Sequence, residues 1–210
     1  MARYLVTAGP TRESIDPVRF LSNRSSGRMG YAIAAALLEL GHQVELISGP
    51  VNLAPPEGAN TAQVESALEM LAAAEMVWPS CDGIFGVAAV ADYRPAQTST
   101  DKLKRQAAAS LSLLLESNPD ILATLAAKKS SRLAVGFALE SDPSHAEAKR
   151  KLQAKNLDFV ALNGISAQGA VQSSITLLDS ADGIWQLGPA EKSELARELV
   201  RAVGITASSL

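Results

Sequence analysis

Cysteine is almost absent from this chain. Cys81 stands alone, which excludes an internal disulfide and any cysteine-cluster metal site. A single thiol fits a reducing compartment. Histidine is nearly as scarce: His42 and His145 stand apart in polar surroundings, outside any H-E-x-x-H pattern, and read as exposed and non-catalytic. Charge of one sign is lacking too. Lys and Arg number 19 against 22 Asp and Glu, and a net charge of -3 argues against a general nucleic-acid surface. Long apolar runs are missing. The opening "MARYLVTAGP" has no signal-peptide core, and Ala32 to Leu40, the richest stretch, is too short to cross a bilayer and contains Glu39. The expectation is a cytoplasmic, soluble protein with neither nucleic acid nor membrane as partner. A strand starting almost at residue 3 leaves open a domain cut from a longer polypeptide.

What remains is a globular composition, 47% hydrophobic and 20% charged over 210 residues, enough for a sizeable core. "YLVTAG" (4–9) reads as a buried parallel strand and "QVELIS" (43–48) as a second, with a helix from about Ser26 to Leu40 between them, stopped by Gly41. A helix over 64–78 leads into the strand "GIFGVAAV" (83–90). Then come a strand "SLSLLLE" (110–116), a helix over 118–129 capped by Asn118, and the strand "RLAVGFAL" (132–139). A polar helix over 142–156, a strand "LDFVALN", a hairpin over 174–188 turning at Asp182-Gly183, and a helix over 190–203 complete the chain. Alternating strands and helices predict an α/β fold: a three-layer, Rossmann-like, doubly wound and mostly parallel sheet with a C-terminal hairpin, in one domain over 1–210.

Ligands of such sheets bind beyond the carboxyl ends of the strands. Those ends here are rich in glycine, alanine and serine, which admit a ligand close to the backbone. "SNRSSGRMG" (22–30) places Ser25, Ser26, Gly27 and Gly30 at the mouth of a helix, an arrangement suited to phosphate; the plain alternative is a tight turn with close helix–sheet packing. A nicotinamide dinucleotide fits poorly. The loop after the first strand carries one glycine, Gly9, instead of G-x-G-x-x-G, and the second strand ends Ile47-Ser48-Gly49-Pro50 without an acidic ribose ligand. Neither a Walker A sequence nor a G-x-S-x-G elbow is present.

Five segments, "VTAGPTRESIDPVRFLSNRSSGRMG", "AAVADYRP", "DKLKR", "NPDIL" and "VGFALE", follow one another in an order that closely resembles phosphopantothenoylcysteine synthetases. The resemblance runs from about Leu5 to Val203. It implies a ligase that joins 4'-phosphopantothenate to L-cysteine with a nucleoside triphosphate, CTP in the bacterial branch, accompanied by Mg2+. It also implies an acyl-nucleotide intermediate, a homodimer, and fusion to or assembly with a flavin-dependent decarboxylase. The hairpin and the loop after the third strand (93–109) are the expected dimer elements. By the same resemblance Asn23 and Lys102 are catalytic, Asn23 through its amide and Lys102 by neutralising phosphate charge. Nucleotide contacts are implied for Gly9, Ser25, Gly27, Gly30, Gly86, Val87, Ala88, Asp92, Lys102, Pro119, Asp120, Ile121, Leu122, Phe137, Lys151, Lys155 and Asn163. Arg19, Asn23 and Ala89 are implied as substrate contacts, Arg19 toward a neighbouring subunit's phosphate. The metal ligands stay undefined. Taken without the resemblance, Lys102, Lys104 and Arg105 are a solvated charge run, Phe137 is core, and Lys151 and Lys155 share an ordinary charged helix face. A non-catalytic nucleotide-binding module of the same fold is the other reading these residues allow.

Overall fold

The computed structural model describes residues 1–104, 110–140, 145–164 and 172–208. Its centre is an eight-stranded sheet. The parallel strands are β1 (Arg3–Ala8), β4 (Gln43–Ser48), β5 (Asn60–Gln63), β6 (Gly83–Gly86), β9 (Leu133–Glu140) and β10 (Phe159–Gly164). Two antiparallel strands, β11 (Gln172–Asp179) and β12 (Ile184–Glu191), extend it beyond β10. Across the sheet the order is β12-β11-β10-β9-β6-β1-β4-β5. Numbered by appearance, the six parallel strands lie 3-2-1-4-5-6, so the winding reverses between β1 and β6 and opens a crevice there.

Strand alternation builds the two faces. Tyr4, Val6 and Ala8 point to one side, where α1 (Arg28–Glu39) and α5 (Lys192–Ala202) bury Ile33, Leu37, Leu195 and Leu199. Leu5, Ile47 and Ile84 point to the other, under α2 (Ala67–Val77), α3 (Ile121–Ala126) and α4 (His145–Ala154). That is the expected three-layer, mostly parallel arrangement with its terminal hairpin.

Several local expectations need correction. "SLSLLLE" does not join the main sheet: only Leu115–Ser117 form a strand, β8, paired with β7 (Tyr93–Pro95) in a separate two-stranded ladder with its side chains exposed. The third strand ends at Gly86, and 87–91 run on as an irregular segment laced to the chain after β1. The third helix is capped by Asp120, whose Oδ1 accepts the Ala123 N–H at 3.0 Å; Asn118 instead donates to the Ala91 carbonyl. His42 is half-buried, accepting the Ala2 N–H, lying 2.9 Å from the Thr206 carbonyl oxygen and standing edge-on to Tyr4. Two further short strands, β2 (Arg12–Ser14) and β3 (Phe20–Ser22), pair antiparallel in a ladder of their own. The expected Asp142-Pro143 helix start, Arg105 and the segment 165–170 lie outside the described residues.

Candidate functional site

Beyond the carboxyl ends of β1, β6, β9 and β10 the crevice widens into two adjoining lobes. The first, about 230 Å³, is walled by Ser25 to Gly30 at the start of α1, by Asn163 at the end of β10, and by Lys192 at the start of α5. The second, about 450 Å³, is walled by Asn23, Asp92, the segment Asn118 to Leu122 and, from α4, Lys151 and Lys155. Val87 belongs to the first and Gly86 to the second. Ala88, Ala89, Phe137, Ala138 and Leu139 border both, so a ligand can pass over the edge of the sheet from one helical layer to the other.

The wall between β1 and β6 is set by backbone hydrogen bonds. The Ala89 N–H donates to the Gly9 carbonyl at 2.9 Å, and the Ala89 carbonyl accepts from the Thr11 N–H at 3.2 Å and from Asn23 Nδ2 at 3.0 Å. Asn23 is thus held by the residue the resemblance marks as a substrate contact. The Ala91 N–H donates to Thr11 Oγ1, and the Asn118 N–H to the Asp92 carbonyl, which holds the Asp92 carboxylate at an exposed position on the mouth.

The glycines do different work. Gly27 caps α1 with φ +75°, a conformation that other residues adopt only with strain, and its N–H donates to Ser25 Oγ. Gly30 is a packing glycine: a Cβ there would stand 2.6 Å from the Ala8 Cβ. The tight-turn and close-packing reading of the serine–glycine stretch thus describes its geometry, and that close packing is what brings the start of α1 to the crevice. Gly9 lines neither lobe. It is buried, with Gly49 against it, and reaches the site only through its carbonyl.

Charge divides unevenly. In the second lobe Lys155 Nζ pairs with Asp120 Oδ2 at 2.7 Å, so this lysine is already neutralised by the helix-capping carboxylate. In the first lobe the charged residues are Arg28 and Lys192. The Lys192 ammonium is held below its ordinary pKa, first by burial and then by the Arg28 charge.

Arg19 and Lys102 fall outside both lobes. They lie together in a strap that crosses the β2–β3 ladder. Asp16 is buried and accepts the N–H groups of Val18, Arg19 and Leu103, at 2.8, 2.9 and 3.1 Å. Burial pushes its carboxyl up, but those three donors and the Arg19 charge outweigh that and hold its pKa below the usual value. Arg19 Nη2 donates to the Leu103 carbonyl at 2.6 Å, while Thr98 Oγ1 and the Ser99 N–H bond to the carbonyls of Ser14 and Ile15. Lys102 is exposed on this clipped segment. Local spacing gives no mark to Thr7, which lines the second lobe, or to Lys192, and gives Asn118 only a cap; Asp16 in "ESIDPVR" carries a visible signal, an acid ahead of a proline turn. Among the described residues no group of three or more His, Cys, Asp or Glu could hold a metal ion.

Comparison with known proteins places this geometry. Residues 1–205 match the family described as DNA/pantothenate metabolism flavoprotein C-terminal domain. The chain is 41% identical over 205 residues to the Coenzyme A biosynthesis bifunctional protein CoaBC of Vibrio vulnificus strain CMCP6, covering 95% of this chain and 51% of that protein. It is 42% identical over 205 residues to the protein of the same name from Escherichia coli K12, covering 93% and 50%. The chain thus spans about half the length of these curated relatives. A solved C-terminal domain of a CoaBC protein superposes with a TM-score of 0.83 at 39% identity, covering 96% of this chain and 93% of that one. A Cab2 mutant solved with phosphopantothenate-cysteine shares the fold, with a TM-score of 0.78 at 17% identity over 96% of this chain and 85% of the other. The chain belongs to the DNA/pantothenate metabolism flavoprotein C-terminal domain family.

Proposed function

We propose that this chain is the phosphopantothenate–cysteine ligase of coenzyme A biosynthesis, driven by CTP. The carrying observation is the two-lobed crevice at the winding reversal, which gathers Asn23, Ser25, Gly27, Gly30, Gly86 to Ala89, Asp92, Pro119 to Leu122, Phe137, Lys151, Lys155 and Asn163 around one continuous space. In this reading a carboxylate oxygen of 4'-phosphopantothenate attacks the α-phosphorus of CTP. The bond to the β-phosphate oxygen breaks, pyrophosphate leaves, and an acyl-cytidylate remains. The cysteine amine then attacks the acyl carbon, CMP departs with the C–O bond electrons, and the nitrogen loses a proton. Such chemistry needs positioning and charge neutralisation more than a protein nucleophile, and the walls offer amides, hydroxyls and cations.

Asn23, tied to the Ala89 carbonyl, would orient the acyl group, and the cation of Lys102 would neutralise phosphate. Because Lys102 stands on the strap outside both lobes, that role requires the strap of this chain or of a second copy to deliver it. A second copy is part of the proposal: Val18, Phe20, Tyr93, Leu111, Leu114 and Leu115 expose apolar side chains on this strap and ladder, and Ile184 and Trp185 do so on the hairpin. Magnesium in such a reaction is held by substrate phosphates and one or two carboxylates. Asp92, exposed at the mouth of the crevice, would supply such a carboxylate, whereas both oxygens of Asp120 are already engaged by the Ala123 N–H and Lys155. A fused or partnering decarboxylase and a cytoplasmic location complete the reading. No helix among the described residues is long and apolar enough to cross a membrane.

The test is pyrophosphate release with magnesium, 4'-phosphopantothenate and cysteine, comparing CTP with ATP and with Asn23→Ala. Release that needs phosphopantothenate, prefers CTP and is lost in the variant is the expected result. Folded protein that releases nothing with either nucleotide overturns the ligase in favour of a binding module.

A further inference from the structure

Lys192 is an unusual way to begin a helix. A cation in the first turn opposes the positive end of the helix dipole, where acids such as the neighbouring Glu191 and Glu194 are the favoured choice. The "EKSELARELV" pattern gives the lysine no role: it reads as the wet start of an amphipathic helix whose Leu195, Ala196, Leu199 and Val200 enter the core. Yet the side chain is half-buried and lines the first lobe.

The lobe's electrostatics are one-sided. Its fourteen lining residues include two cations, Arg28 and Lys192, and no carboxylate. The second lobe sets Asp92 and Asp120 against Lys151 and Lys155. Burial first, and then the neighbouring Arg28 charge with no acid between them, disfavour the Lys192 ammonium. An anionic ligand reverses the sign of that cost. Arg28 is shared, since it also borders an adjoining depression with Arg12, Asn52 and Gln63, whereas Lys192 faces the first lobe. Ser25 and Ser26 supply hydroxyls on the same wall, and Asn163 an amide. A cationic group such as a cysteine amine gains nothing from this pair of cations, whereas a chain of phosphates gains from both and from the polar groups beside them.

We propose that Lys192 is a nucleotide-binding residue of the crevice, which grips the phosphate chain in the first lobe together with Arg28. This rests on the ligase reading and deepens it: the phosphates of the triphosphate lie in the first lobe, and the leaving pyrophosphate is held there. The C-terminal helix, joined to α1 by the Arg197–Glu39 pair at 2.7 Å, thereby becomes part of the nucleotide site.

The experiment uses the intact chain and the variants Lys192→Met and Lys192→Arg, with CTP and inorganic pyrophosphate as calorimetric probes and with steady-state turnover. The methionine variant is expected to weaken binding of both probes roughly 10- to 100-fold, the scale of one charge-assisted hydrogen bond. Its KM for CTP rises in step while its KM for cysteine stays put, and the arginine variant restores most of the loss. Unchanged melting of the methionine variant separates this from a folding defect, since removing a poorly compensated cation relieves the fold and does not harm it. If wild type binds CTP and pyrophosphate but the methionine variant binds them equally well, this proposal falls and the ligase reading stands. If wild type binds neither probe, both fall.

Discussion

Gly30→Ala tests how the crevice is built. The glycine is the third residue of α1, and a Cβ placed there would lie 2.6 Å from the Ala8 Cβ, 3.2 Å from its Cα and 3.3 Å from the Thr7 carbonyl oxygen. Carbon atoms rest at about 3.5–4.0 Å, so the shortfall is about 1 Å. Neither methyl can rotate away, because each is fixed directly to its backbone, so the helix must lift off β1. Overpacking of this kind costs ~1–3 kcal/mol, and rigid partners put it at the upper end. Alanine recovers at most ~1 kcal/mol of helix propensity. The net loss is then ~2 kcal/mol, or a fall in Tm of ~4–8 °C for a chain of this size. Ala8→Gly in the same molecule returns the missing space. Alone it costs ~0.8 kcal/mol for the lost methyl and ~0.5–1 kcal/mol for glycine in a strand; beside Gly30→Ala it is expected to repair most of the damage, a coupling of ~2 kcal/mol. Chemical denaturation of the four proteins measures this. A Gly30→Ala chain as stable as wild type, or a double variant no better than the sum of its parts, refutes the idea that contact between α1 and β1 sets the position of the lobe.

Two other expectations follow from buried groups. Asp16→Asn presents an amide N–H to the Leu103 N–H, breaking the clip that holds the strap with Lys102; turnover is expected to fall on the order of 10²-fold, as misplacing a catalytic group does. Combined with Lys102→Gln it should add little further loss, and fully additive losses would show that Asp16 does not act through Lys102. Cys81 is buried, donates to the Val77 carbonyl at 3.3 Å, and has its thiol pushed up to about 11, first by burial and then by Glu45. At pH 8 the thiolate is then about one part in a thousand, so maleimide labelling should wait for unfolding. Between the ordinary thiol value and about 11 the unfolded chain ionises while the folded one does not, so stability falls as pH rises through that window. Native protein that labels as fast as a free thiol contradicts the burial.

The buried strands were legible because a strand covered on both faces reads as a near-continuous apolar run, as "YLVTA" does with Thr7 as its one break. The edge strand β5, "NTAQ", carries no such mark: it is largely exposed, and only its pairing with Glu45 to Ser48 makes it a strand. Leucines misled the reading at 110–116, where alternation came without burial. The helix cap went to Asp120 over Asn118 because Asn118 was taken by the Ala91 carbonyl, a long-range bond invisible in local spacing. Most candidate residues meet in the crevice because they sit on strand ends and helix starts, positions that the fold class itself brings together. Lys192 could not be found that way. It lies 29 residues beyond Asn163, after an antiparallel hairpin that no motif covers, and only the packing of α5 on α1 returns it to the site.

Asp120 divides its two oxygens between separate employers. One closes the first turn of α3, and the other holds Lys155 across the second lobe. On the proposed function an incoming anion must therefore outbid an internal carboxylate for that lysine, so that only a strongly charged group engages it. Asparagine at this position would keep the cap and release the lysine, whereas alanine would lose both.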